Sequence, residues 1–225
     1  MAITREDLIK YFPRLYHMAE KGTWPSIKKR GLLSTTALLD LYGIKGKERE
    51  KIESLRRPDS VRIKHEEYGT TVIRDNKPIS DKALDKCLTG MTKEAWYRLL
   101  NGKVFFWLSA DRVSGLLSAR AYREKEHVVL TVDTAKLLAK YEAETTLSPI
   151  NSGSTVYNPQ PRDGRTFASL VNYPFNEWEK KRGSPTKAIA ELAVNYEVKD
   201  IDKMILRVER RQKTKILEVL YESES

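Results

Sequence analysis

Three short runs of apolar residues most strongly constrain how this chain can fold. They lie at residues 103–108, 127–133 and 188–194 of the 225-residue sequence, and each is too short for most helices. The first contains Phe105, Phe106 and Trp107 in succession. Continuous apolar runs of this length are typical of strands that are buried on both faces. The sequence therefore predicts three buried strands.

The remaining segments predict short helices followed by mixed strands and helices. Amphipathic or capped stretches predict helices, whereas alternating or apolar stretches near the end of the chain predict strands. Helices are expected at 4–12, 23–30, 37–42, 45–57, 81–88, 93–100, 110–123 and 134–141, and further strands at 61–63, 70–73, 204–208 and 215–221. This order predicts an α+β fold, which we expect to form a single domain over residues 1–225.

His17 stands in a stretch that is well suited to contacting a ligand. It follows the apolar pair Leu15-Tyr16, and a short helix capped by Thr23 and ended by Gly31 comes next. A histidine at a strand end, beside a helix start, can hydrogen-bond the polar groups of a ligand. The alternative is a structural histidine that is bonded to a backbone carbonyl.

The charge of the chain favours an anionic partner. The formal net charge is +10 and the pI is near 9.5. Basic residues cluster at 28–30, 45–57 and 207–215, a distribution that suits nucleic acid or a phosphate-bearing ligand. Acidic residues interleave in the second cluster, so an ordinary solvated helix is the alternative there.

Cysteine and histidine usage excludes several classes of protein. The single cysteine, Cys87, excludes an internal disulfide framework and fits a reducing, cytoplasmic location. The first ten residues are typical of a charged helix rather than a signal peptide, and no apolar run approaches membrane-spanning length. The three histidines stand at unrelated spacings, so no metal site is expected.

Two late features suggest chemistry. Residues 148–166 form a long segment without helix or strand pattern, in which Ser148, Asn151 and Ser152 supply hydrogen-bonding atoms, and such loops are usually functional or disordered. Glu191 interrupts the third apolar run. A buried carboxylate without a partner is costly, so Glu191 is expected either to face a wet cleft or to take part in chemistry.

Three segments, taken in order, resemble the ADP-ribosyltransferases of the diphtheria-toxin and poly(ADP-ribose) polymerase type. They are His17 with the Gly31-Leu32 pair after it, Gly102 to Phe106 with the helix that follows, and Glu191 with Leu192 to Val194. That superfamily spreads a His-Tyr-Glu triad over three strands. The helix-Gly-Leu-Leu-Ser opening and the Ala-Glu-Leu-Ala-Val segment look most like the DarT branch, which modifies DNA bases.

The resemblance implies a split mixed or antiparallel sheet with an N-terminal helical portion, and an enzyme that consumes NAD. Glu191 would be the catalytic carboxylate, and no metal would be needed. The residues expected to contact NAD are His17, Met18, Phe105, Phe106, Ser109, Ser114, Tyr122, Asn151 and Arg56. One departure stands out: the triad tyrosine is Phe105 or Phe106 here, so its hydroxyl is lost and Tyr122 is the candidate replacement ring.

The same resemblance and the basic charge together predict nucleic acid as the acceptor of ADP-ribose. A toxin of a toxin–antitoxin pair or a phage-defence effector, with an antitoxin protein as partner, is the expected setting. Two alternatives stay open. One is a non-catalytic module that binds NAD, ADP-ribose or nucleic acid, and the other is an RNA 2′-phosphotransferase of related fold.

Overall fold

A computed structural model describes residues 2–156 and 158–223 of the chain. The α-helices of these residues are short. They are α1 (Arg5–Tyr11), α2 (Trp24–Arg30), α3 (Thr35–Leu41), α4 (Gly46–Glu53), α5 (Asp81–Cys87), α6 (Lys93–Asn101), α7 (Ala110–Ser118), α8 (Thr134–Tyr141), α9 (Phe175–Arg182) and α10 (Pro185–Ala188).

The strands are distributed along the whole chain, between and after the helices. They are β1 (Arg14–Glu20), β2 (Leu32–Leu33), β3 (Val61–His65), β4 (Gly69–Ile73), β5 (Lys103–Trp107), β6 (His127–Asp133), β7 (Thr145–Ser148), β8 (Ala168–Ser169), β9 (Glu191–Asn195), β10 (Glu197–Val198), β11 (Ile205–Gln212) and β12 (Lys215–Glu222). The fold is therefore α+β, as the sequence predicts.

Eight of the strands form one large sheet in the order β12-β11-β6-β1-β5-β9-β7-β8. Every neighbouring pair in this sheet is antiparallel. Two small sheets complete the strand pairing, β3 with β4 and β2 with β10. The main core lies against the large sheet, where the buried side chains of β6 and β9 pack with those of the surrounding helices.

The large sheet is split between β1 and β5. On its other side β1 pairs with β6 continuously, from Arg14↔Asp133 to Glu20↔His127. Toward β5 the only register pair is Tyr16↔Trp107. The two halves of the sheet therefore separate on either side of this one pair, and a gap opens within the sheet.

The sequence-based boundaries were wrong at two places that matter for the site. His17 lies in the middle of β1, because the strand continues beyond it through the buried residues Met18 and Ala19 to Glu20. The third apolar run is divided: its first residue ends α10, and β9 begins only at Glu191. The glutamate therefore opens its strand instead of lying at the centre of one.

Several other expectations need smaller adjustment. Helix α7 ends at Ser118 instead of continuing to about residue 123. Thr23 occupies the N-cap position of α2, but its hydroxyl donates to the carbonyl of Glu20 (2.7 Å) and accepts no hydrogen bond from a backbone N–H of the helix. No helix among residues 2–156 and 158–223 has the length and apolar character to cross a membrane.

Gly31 provides a test of how α2 is joined to the small β2–β10 sheet. Its φ is +87°, and a Cβ added there would lie 2.6 Å from both the Lys199 Cα and the Val198 carbonyl oxygen. We therefore expect Gly31→Ala to lower the free energy of unfolding by about 2–5 kcal/mol, the sum of backbone strain and overpacking. Urea denaturation followed by circular dichroism measures this change.

Gly22→Ala is the matched control for that substitution. Gly22 also has a positive φ (+80°), but a Cβ there would meet no atom within 4 Å. We expect it to incur only the backbone penalty, about 1–2 kcal/mol. Equal destabilisation by the two variants would contradict the steric argument.

Candidate active site

A large cleft opens where the two halves of the sheet separate. Its volume is about 1070 Å³, which is at the upper end of the range of ordinary small-molecule sites. Its walls come from β1, from the segment containing α2 and β2, from the end of the β3–β4 hairpin, from β5 and from the loop after β7. His17 and Glu191 both border this cleft, although 173 residues separate them in sequence.

His17 bridges the gap in the sheet with its side chain. Its Nδ1 lies 2.8 Å from the carbonyl oxygen of Phe105 on β5. Because a carbonyl can only accept, Nδ1 must carry the proton. Burial lowers the pKa of His17 to about 4, so the ring is neutral at pH 7. Nε2 is then a hydrogen-bond acceptor, suited to the hydroxyl group of a ligand.

Glu191 is a buried carboxylate that hydrogen-bonds a loop rather than a cation. Only 4% of the surface of Glu191 is exposed to solvent. The backbone N–H and the hydroxyl of Ser152 both donate to Oε2, at 3.0 and 2.6 Å. Burial raises the pKa of Glu191 to about 7 despite these two bonds. Such a group exchanges protons near neutral pH, as a general base does.

The two side chains reach the cleft from different faces of the strands. Tyr16 pairs with Trp107, and Trp107 pairs with Glu191, so these three residues point to one face of the sheet. His17 points to the other face, where its ring lies 5.8 Å from that of Phe106. Both border the same cleft because the sheet is open between β1 and β5.

Of the two phenylalanines expected to contact NAD, the structure brings only one to the cleft. Phe105 is half-buried and lines it. Phe106 is 1% exposed and belongs to the main core beneath His17. The expectation that Phe106 contacts a ligand was therefore wrong, because alternation along β5 directs its side chain to the core.

Three more of the expected residues border the cleft. Met18 does so from β1, although its side chain is largely buried against α7. Tyr122 donates from its hydroxyl to Asp75 Oδ1 (3.2 Å), so this ring is held in place at the cleft wall. Asn151 is carried into the cleft by the loop after β7, beside Ser152.

The structure keeps the other three expected residues away from the cleft. Ser109 is the N-cap of α7, where its hydroxyl accepts from the backbone N–H of Arg112, and Ser114 lies within that helix. Arg56 is exposed and donates to the carbonyls of Ile79 and Lys77. None of these three lines the cleft, so we correct their assignment as ligand contacts.

Two arginines line the cleft instead: Arg57, which the sequence paired with Arg56 as a possible clamp on a diphosphate, and Arg74, which it did not single out. Arg57 is buried and donates to Asn101 Oδ1 (3.0 Å) and to the carbonyl of Arg74 (3.0 Å). Its burial lowers its pKa to about 10. Arg74 also borders the cleft, with its guanidinium 5.0 Å from the centre of the Tyr122 ring. Arg74 follows β4 directly, and that position after a strand was the available sequence signal.

Among residues 2–156 and 158–223, no three histidine, cysteine, aspartate or glutamate side chains lie together in a way that could hold an ion. The polar groups that border the cleft include a neutral imidazole, three carboxylates, hydroxyls, side-chain amides, and ammonium and guanidinium groups. These groups suit a ligand rich in hydroxyls and phosphates.

The raised pKa of Glu191 predicts a pH-dependent effect on stability. The folded protein binds this proton up to about pH 7, whereas the unfolded chain releases it near 4.5, so ionisation of Glu191 destabilises the fold as pH rises through that window. The side chain introduced by Glu191→Gln cannot ionise. We therefore expect the free energy of unfolding of the variant, minus that of wild type, to be about 3 kcal/mol larger at pH 8 than at pH 4. Urea denaturation at both pH values measures this.

His17 contributes to the pH dependence of the wild type with the opposite sign. Its pKa is lowered on folding, so its contribution to stability rises with pH between about 4 and 6.5. The comparison of variant with wild type cancels this contribution, because His17 is present in both. A difference between the two proteins that does not change with pH would contradict a raised pKa for Glu191.

Comparison with known proteins places the chain in a family. The comparison with curated proteins returns no match. A family model described as a family of unknown function, DUF7002, matches residues 13–205. That span runs from the residue before β1 to the start of β11 and includes every residue that borders the cleft. The chain therefore belongs to the DUF7002 family.

Proposed function

We propose that this protein is an NAD-dependent mono-ADP-ribosyltransferase that modifies nucleic acid. The observation that carries the proposal is the presence of a neutral imidazole and a proton-exchanging carboxylate on one cleft at the split of the sheet. The cleft volume of about 1070 Å³ leaves room for a dinucleotide. The net charge of +10 favours a nucleic-acid acceptor over an acidic protein.

The proposed reaction moves ADP-ribose from nicotinamide to the acceptor. The bond between the ribose C1′ and the nicotinamide nitrogen breaks, and nicotinamide leaves as a neutral molecule with the electron pair of that bond. A nitrogen or oxygen of the acceptor then bonds to C1′, and its proton passes to Glu191. Positive charge develops on the ribose before the new bond forms, so a nearby carboxylate stabilises the transition state.

Each side chain has a role that matches its surroundings. His17 accepts from a ribose hydroxyl through Nε2, because Nδ1 is held by the carbonyl of Phe105. Ser152 fixes one oxygen of Glu191, and Oε1 accepts no hydrogen bond within the described residues, so it is left for the substrate. Phe105 supplies a ring for stacking on nicotinamide.

One observation favours a second candidate, a non-catalytic module that binds NAD or ADP-ribose. In the resembled superfamily a tyrosine stands where this chain has phenylalanine, and the hydroxyl of Tyr122 is already bonded to Asp75. A binding module needs the cleft but does not need a carboxylate with a pKa near 7. Turnover therefore separates the two candidates.

The direct test is transfer of label from NAD. Purified protein is incubated with NAD labelled in its adenylate portion and, separately, with single-stranded DNA, RNA or protein. We expect label to enter nucleic acid, and we expect Glu191→Gln to lower kcat/KM by about 10²–10³-fold, the usual effect of removing an electrostatic catalyst. Release of nicotinamide is measured in parallel.

Glu209→Gln is the matched control, because Glu209 is also a buried strand glutamate (3% exposed) but lies on β11, ion-paired with Arg207 and away from the cleft. Transfer by this variant should match wild type after correction for the folded fraction. Binding of NAD without turnover in every variant would support the binding module. Turnover that requires 2′-phosphorylated RNA and survives Glu191→Gln would support a 2′-phosphotransferase.

A further inference from the structure

A second, smaller cavity adjoins the cleft beside Glu191. Its volume is about 610 Å³. Its walls are α7, the approach to β9, the end of α9 and the loop after β7. Four residues border both cavities: Trp107, Leu116, Asn151 and Ser154. A ligand in the smaller cavity would therefore lie next to one held in the cleft.

Three arginines from three separate parts of the chain line the smaller cavity. They are Arg112 on α7, Arg162 in the loop and Arg182 at the end of α9. Among the residues that the structure describes, no aspartate or glutamate lines this cavity. Within residues 2–156 and 158–223, none of the three arginines forms an ion pair with a carboxylate. Three positive charges thus share one hollow without an ion-paired carboxylate in its wall, although the Glu191 carboxylate acts electrostatically on Arg112 and Arg162 from outside that wall.

Backbone carbonyls hold the guanidinium groups without exhausting their donors. Arg112 donates through one terminal nitrogen to the carbonyls of Ile189 and Ala190, at 2.8 and 2.6 Å. Its Nε–H and its other terminal nitrogen make no bond within the described residues. Arg182 donates through its two terminal nitrogens to Lys187 and Pro149. A guanidinium carries five N–H groups, so each retains donors for an oxyanion.

We infer that this arginine-lined cavity binds a backbone phosphate of the nucleic acid that accepts ADP-ribose. Arginine recognises phosphate through paired N–H donors, and here the guanidinium groups are already oriented by carbonyls, so less side-chain freedom is lost on binding. The shared border at Asn151 and Ser154 would bring the adjacent nucleotide toward Glu191. The inference rests on the proposed function in one respect, the statement that the bound phosphate belongs to the acceptor of ADP-ribose. Binding of a nucleic-acid phosphate in this cavity does not depend on it.

A purely structural role for these arginines is the competing explanation. Arg162 donates to the carbonyls of Ser152 and Ser154, and Arg182 donates to that of Pro149, so both brace the loop that supplies Ser152 to Glu191. Replacing an arginine would disturb the brace and the phosphate site together. A useful variant must change the charge of the cavity and leave the arginines in place.

Gln160→Glu meets that requirement. Gln160 lines the cavity, and its side chain makes one described bond, from Nε2 to the carbonyl of Asn158 (2.9 Å). The contact from Arg162 Nε is to the backbone carbonyl of Gln160, which the substitution retains. The variant therefore adds a negative charge among the three arginines while every arginine–carbonyl bond stays possible.

The experiment measures binding without turnover, by fluorescence anisotropy of a short labelled single-stranded DNA in the absence of NAD. We expect Gln160→Glu to weaken binding about tenfold and to reduce the slope of log K against log salt concentration by about 0.7, equivalent to one lost phosphate contact. Titration with NAD, followed by calorimetry, should give affinities within twofold of wild type.

Gln212→Glu is the matched control. Gln212 lies on β11, borders neither cavity, and also donates from Nε2 to one backbone carbonyl, that of Glu124. Gln212 lies in the basic cluster 207–215, but Arg207, Arg210 and Arg211 of that cluster are already ion-paired with glutamates. We therefore expect the DNA affinity of this variant to stay within twofold of wild type.

The outcomes separate this inference from the proposed function. Equal weakening by Gln160→Glu and Gln212→Glu, or no DNA binding by wild type, would overturn the phosphate site. So would a loss of NAD affinity in Gln160→Glu with DNA binding intact, because the cavity would then hold the diphosphate of NAD. DNA bound through the cavity but never labelled from NAD would support the phosphate site and refute the transferase.

Discussion

The hydrogen bond between His17 Nδ1 and the carbonyl of Phe105 is the interaction on which the site depends. β1 and β5 share one register pair, so the backbone groups beside that pair lack the ladder of an ordinary sheet. The imidazole of His17 hydrogen-bonds one of these groups, the carbonyl of Phe105, through Nδ1 at 2.8 Å. The sheet can therefore stay open beside Tyr16 and Trp107 without leaving this carbonyl unbonded, and the opening becomes the cleft.

The same bond determines the chemistry of the imidazole. It fixes the proton on Nδ1, and burial keeps the ring neutral. Nε2 is therefore left as a hydrogen-bond acceptor for a ligand. The pKa of Glu191 changes in the opposite direction from that of His17. Burial favours the protonated carboxyl and raises its pKa, and the two hydrogen bonds from Ser152 offset part of that effect. Both groups are thus adjusted by desolvation, and a carboxylate with a pKa near 7 reduces stability at neutral pH in exchange for reactivity.

The sequence could predict those parts of the fold in which the pattern is local. β6 and β5 followed from apolar runs, and α3 and α7 were expected at 37–42 and 110–123, close to where the hydroxyls of Ser34 and Ser109 cap them. The faces of β5 could not be predicted, because a run without alternation does not indicate which ring is buried. That is why Phe105 and Phe106 could not be distinguished. Arg56 and Arg57 are adjacent, and only tertiary contacts direct Arg57 inward.

Residues 149–156 and 158–167 join the two cavities, and their placement needs a physical cause because these residues contain no helix or strand. Arg162 and Arg182 supply that cause by donating to carbonyls at the start of the loop. Arg162 reaches the carbonyl of Ser152, and Ser152 reaches the carboxylate of Glu191. A phosphate that draws Arg162 toward itself would alter the position of Ser152 and hence the pKa of Glu191. A phosphate bound in the smaller cavity, as inferred above, would in this way be linked to the protonation of the proposed catalytic carboxylate, through one residue and two hydrogen bonds.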